Sequence, residues 1–69
     1  MENYKIGSKV KHKTRGVIET IVGECKVKID NMWVEGVIYE GIDYNTGRLM
    51  QFVRTKDDFI NNFELYEFQ

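Results

Sequence analysis

Thr55-Lys56-Asp57-Asp58-Phe59-Ile60-Asn61-Asn62-Phe63 (TKDDFINNF, residues 55–63) is where the periodicity of this chain changes. Upstream, apolar residues alternate in the manner of strands. Here they fall at Phe59, Ile60 and Phe63, a spacing that fits about one turn of helix. Thr55, with Asp58 three residues on, reads as a helix start, and Asp57 and Asp58 sit at the positive end of the helix dipole. The β-like run Glu64 to Phe68 (ELYEF) follows at once. Several strands, one short helical turn and a last strand predict a small, mostly β barrel.

The preceding residues supply the strands. In Lys9 to Thr14 (KVKHKT), Lys9, Lys11 and Lys13 share one face and Val10, His12 and Thr14 the other. Arg15-Gly16 marks a turn. Val17 to Val22 (VIETIV) is β-branched and interrupted by one charge, Glu19, and Gly23-Glu24 is read as the next turn. Cys25 to Asp30 (CKVKID) alternates cleanly, with Cys25, Val27 and Ile29 expected inward. Asp30-Asn31 suits a two-residue hairpin turn, because both residue types tolerate left-handed conformations. Met32 to Glu40 returns as a strand in which Gly36 predicts a bulge or sharp bend. Gly41 to Gly47 is the longest irregular piece, and Arg48 to Arg54 is a further strand. The expectation is five or six antiparallel strands; closing them into a barrel would remove exposed edges.

Length bounds the rest. Sixty-nine residues make one domain, residues 1–69, and a chain this short buries only about 60% of its unfolded surface. Aromatic residues at 13% offset that thin margin, since each buried ring removes roughly 150–250 Å² from water. Cys25 is the sole cysteine, so no internal disulfide forms, and it is read as a small buried apolar residue in a reducing, cytoplasmic setting. No charged-then-apolar leader and no apolar run of about 18 residues appears, so neither secretion nor membrane insertion is expected. The net charge of −1 hides an asymmetry: +3 from Met1 to Val34 and −4 from Glu35 to Gln69.

Ile6-Gly7-Ser8-Lys9-Val10, Arg15 to Ile21 (RGVIETI), Lys26 to Asp30 (KVKID) and Trp33 together resemble small SH3-like barrels of the KOW/Tudor kind. Phe52-Val53-Arg54, Asp58-Phe59 and Asn62-Phe63-Glu64 resemble the closing part of short bacterial and bacteriophage barrel proteins of unassigned role. The similarity spans nearly the whole chain, but its motifs are short and apolar, so they specify architecture rather than activity. What the resemblance implies is a ligand-binding module without catalysis, in an accessory or inhibitory role such as a phage product directed at a host machine. The chain is less basic than KOW-like barrels that touch nucleic acid.

The chemistry-bearing residues are sparse. One histidine (His12), one cysteine and one serine (Ser8) give no nucleophile–base spacing, so no enzyme activity is expected. A lone His and a lone Cys make no metal motif, and Asp57-Asp58 lacks a loop of alternating oxygen ligands, so neither metal nor cofactor is expected. Two surfaces remain. Trp33 and Tyr44, with the acidic residues Asp43 and Asp57, predict a protein-binding surface, because exposed Trp and Tyr are the usual interface anchors. Lys9, Lys11, Lys13 and Arg15 form the alternative, a strip able to follow phosphates, although no ring interleaves it in sequence. The expected partner is another protein, with nucleic acid as the alternative. Pairing of unclosed edges between copies is a third possibility.

Overall fold

The computed structural model describes residues 4–66. Its elements are β1 (Lys9–His12), β2 (Ile18–Ile29), β3 (Met32–Asp43), β4 (Arg48–Thr55), α1 (Lys56–Asn62) and β5 (Phe63–Leu65). The five strands are antiparallel and form one sheet in the order β4-β3-β2-β1-β5. The structure is therefore mostly β with one short helix before the last strand, as expected. The barrel-like sheet stays open between β4 and β5, which α1 joins through the chain rather than through ladder hydrogen bonds.

Helix α1 starts as its sequence demands. Thr55 is the N-cap and its hydroxyl accepts from the Asp58 N–H at 3.2 Å, while Asp57 and Asp58 occupy the first turn. The helix ends as Phe63 turns to extended backbone and starts β5. Thr55→Ala removes that cap and is expected to cost about 1 kcal/mol, measurable as a lowered urea midpoint with faster amide exchange at Asp58.

The core is largely aromatic. Phe59 and Phe63 are fully buried and stack at 4.5 Å between centroids, and Tyr39 meets them at 5.4 and 5.2 Å. Val10, Ile21 and Val37 complete the buried cluster, with Tyr4 and Phe52 packed against its edge. Of the three residues that set the helical spacing, Ile60 alone lies at the surface. Phe68, the last ring of the expected final strand, lies outside the described residues.

Three expectations about the long hairpin are corrected. Gly23-Glu24 is not a turn: β2 runs through it, with a register shift between Ile21 and Gly23. A bulge there bends the strand without ending it. Gly36 is not a bulge, since Cys25 and Thr55 face it in unbroken register on either side. A side chain there would stand 2.6 Å from Val27 Cγ2 and 2.9 Å from Cys25 Sγ, so Gly36 is a point of close packing. Cys25 and Val27, both half-buried, pack at this glycine rather than against the Phe59 cluster, and Ile29 is exposed. Finally, β3 continues to Asp43, which makes Gly41 a buried strand residue and leaves only residues 44–47 as a turn.

The hairpin turn itself is as read. Asp30 and Asn31 have φ of 48° and 65°, the left-handed pair that a tight two-residue hairpin of primed type requires.

Candidate functional site

Two turns frame an opening at one end of the sheet. In the first, between β1 and β2, the buried His12 ring acts as an internal scaffold. Its Nδ1 accepts from the backbone N–H groups of Arg15 at 3.1 Å and Thr14 at 3.3 Å. The Gly16 N–H bonds back to the His12 carbonyl at 2.9 Å, and Gly16 takes a φ of 74°. Burial lowers the His12 pKa, and the Arg15 and Arg54 charges lower it further. His12 therefore stays neutral and holds the turn that carries Arg15.

The second turn, between β3 and β4, is built on Asp43. Its Oδ1 accepts from the Asn45 N–H and its Oδ2 from the Thr46 hydroxyl, both at 3.1 Å, while Gly47 supplies a φ of 72°. Such side-chain-to-backbone bonding is what fits Asp to a turn. It leaves Tyr44 projecting at the rim, 68% exposed.

Between the turns lies a cleft of about 370 Å³, lined among others by Arg15, Glu19, Tyr39, Asp43, Tyr44, Phe52 and Arg54. Arg54 donates from Nε to the Tyr39 hydroxyl at 2.8 Å and from Nη1 to Asp58 at 3.1 Å, and its guanidinium lies over the Phe63 ring. Glu19 is the unusual wall residue. It is only 7% exposed, and its Oε2 has no hydrogen-bond partner among the described residues. Its side chain lies over Gly41, where a Cβ would come 2.6 Å from Glu19 Oε1 and 2.8 Å from Cγ. Burial raises the Glu19 pKa, while the Arg15 and Arg54 charges pull it down.

The cleft brings together Asp43 and Tyr44 from the expected protein surface with Arg15 from the basic strip. The other candidates lie elsewhere. Trp33, 63% exposed, stands near the tip of the β2–β3 hairpin with Lys28 Nζ 5.6 Å from its ring centroid. Asp57 lines a second cleft with Ile29, Val34, Glu35, Thr55 and Lys56, where Lys56 and Glu35 form an ion pair at 3.7 Å. Lys9 and Lys11 share a face of β1. Lys9 is bonded to Thr20 Oγ1 at 2.7 Å, Lys11 stands opposite Glu64, and Lys13 is exposed past the strand end.

Glu19, Tyr39, Phe52 and Arg54 are cleft residues that the sequence reading did not place there. One signal was available: strand alternation puts the charge of Glu19 on the same side as Ile21, the side that must be buried. No cluster of three potential metal ligands occurs among the described residues, and none of their helices is long and apolar enough to cross a membrane. Compared with known proteins, the chain matches no family model, no curated protein and no solved structure.

Proposed function

We propose that this chain is an SH3-like barrel acting as a non-enzymatic protein-binding module, with the mouth of the Glu19 cleft as its contact surface. The strand order β4-β3-β2-β1-β5, with a helix before the last strand, supports the SH3-like reading. The observation that carries the binding reading is the exposed Tyr44 ring beside a cleft whose wall bears a buried carboxylate with an unpartnered oxygen. A buried acceptor without a donor is costly, and an incoming ligand that supplies one recovers that cost. An exposed tyrosine at the rim provides the rigid apolar anchor that protein interfaces favour. His12 does not suit catalysis at this site, because its Nδ1 is already occupied by the turn. An accessory or inhibitory role, the phage-encoded case included, is part of the proposal on the strength of resemblance alone.

The test is affinity capture from nuclease-treated lysate. Tyr44→Ala is expected to weaken capture of the partner at least tenfold, about 1.4 kcal/mol or more. Trp33→Ala and Asp57→Ala, at sites away from this cleft, are expected to leave it nearly unchanged. Binding to DNA or RNA that falls steeply with salt and weakens in Lys9→Ala, Lys11→Ala and Lys13→Ala would replace this reading with the nucleic-acid one.

A further inference from the structure

We propose that the cleft receives the side chain of an arginine from the partner, its guanidinium donating to the Glu19 carboxylate; the inference rests on the protein-binding reading above.

Arg15 and Arg54 are the charges that act on Glu19, and the charged groups of the cleft and their partners come from several elements. Arg15 lies on the β1–β2 turn, Asp43 at the end of β3, Arg54 on β4 and Asp58 on α1, while His12 on β1 is held neutral. Arg54 is committed to Asp58 and to the Tyr39 hydroxyl. Arg15 forms neither a hydrogen bond nor an ion pair with Glu19. The ion pair with Asp58 balances Arg54, which leaves Glu19 and Asp43 against Arg15 at the cleft wall, one negative charge in excess. An incoming cation restores balance at a wall carboxylate that has an unpartnered oxygen.

Geometry selects the kind of cation. The cleft presents the rings of Tyr39, Phe52 and Tyr44 along with the carboxylate. A guanidinium is flat, stacks on aromatic faces and donates in its own plane to a carboxylate. An ammonium is compact and more strongly hydrated, so it gives up more on entering such a slot. The volume of about 370 Å³ accommodates a long side chain. Gly41 makes room for the Glu19 side chain in the wall, because any side chain there would strike it.

The experiment is an NMR titration of the whole protein with blocked Gly-Gly-Arg-Gly-Gly and with the same peptide carrying citrulline or lysine at the centre. The arginine peptide is expected to shift Tyr39, Phe52 and the Glu19 carboxyl saturably. Citrulline should bind at least tenfold more weakly and lysine severalfold more weakly. Affinity should rise with pH as Glu19 ionises, and E19Q should lose both the affinity and that dependence. Equal binding of the citrulline peptide, or no cleft shifts up to the solubility limit, overturns the inference, and neither outcome depends on any variant folding. The two readings fail separately. If E19Q captures the natural partner normally while Tyr44→Ala does not, the arginine assignment falls and protein binding stands; if neither variant affects capture, both fall.

Discussion

Phe59→Ala is expected to leave the protein largely unfolded in buffer, or so weakened that its urea midpoint approaches zero. The ring is fully buried and meets three other aromatic rings: Phe63 at 4.5 Å, Tyr39 at 5.4 Å and Tyr4 edge-on at 5.9 Å. Truncating a buried phenylalanine costs about 3–5 kcal/mol in lost transfer energy and residual cavity. A 69-residue chain has roughly 3–10 kcal/mol in total at about 0.05–0.15 kcal/mol per residue. The loss therefore consumes much or all of the margin. Phe59 also fastens α1 to the sheet, as the one buried residue of that helix. Urea unfolding followed by the exposed Trp33 and by far-ultraviolet dichroism checks the result. A variant retaining most of the wild-type stability would mean that the aromatic cluster is not the main source of cohesion. Ile60→Ala, one residue along at the surface, is the control and should cost under about 1 kcal/mol.

The contrast between Phe59 and Ile60 shows how far the sequence could be read. Thr55, Asp58, Phe59 and Phe63 form a local pattern in which cap, dipole and apolar spacing agree, and the helix follows within one residue at each end. The Asp30-Asn31 turn is equally local, because its backbone angles are a property of those two residues. Glycine was where local reading failed. Gly23, Gly36 and Gly41 look alike in sequence, yet one sits beside a bulge, one lets two strands' side chains close in, and one makes room for a carboxylate. Each role is fixed by a residue on another strand: Ile38 for Gly23, Val27 and Cys25 for Gly36, Glu19 for Gly41.

The candidate site was legible in the same partial way. Tyr44 and Asp43 stood out because a turn exposes them, and Arg15 because a glycine follows it. Their meeting in one cleft depends on two turns far apart in the chain lying at the same end of the sheet. Register decides that, and composition does not. The basic strip shows the converse. Alternation correctly puts Lys9 and Lys11 on one face, but the turn organised by His12 directs Arg15 to the cleft instead. The aromatic groups absent from the strip in sequence, Tyr44 and Phe52, share a cleft with Arg15 only in the folded chain.

Gly41→Ala is expected to destabilise the protein by about 1–3 kcal/mol through overpacking, a large effect for a single methyl group in a strand. The methyl carbon would stand 2.6 Å from Glu19 Oε1, 2.8 Å from Cγ and 2.9 Å from Cδ. Gly41 has no positive φ, so backbone strain plays no part and the clash alone carries the cost. The mechanism makes a sharper demand on the double variant. In a Glu19→Ala background the obstruction is gone, and Gly41→Ala should become neutral or stabilise by about 0.4–1 kcal/mol, since alanine restricts the unfolded chain. The coupling between the two sites is then as large as the single effect, measured by urea unfolding of all four proteins. Additive effects would mean that Gly41 is required for some other reason. Glu19→Gln adds a pH signature. A carboxyl whose folded pKa is raised contributes stability that is fully present below the ordinary glutamate value of 4.5 and is lost as pH rises through the folded value. The wild type should therefore lose ground relative to Glu19→Gln as pH rises from about 4.5 towards neutrality. A bound cation held by the carboxylate would reverse that loss, which links the stability of the free protein to the affinity of the cleft.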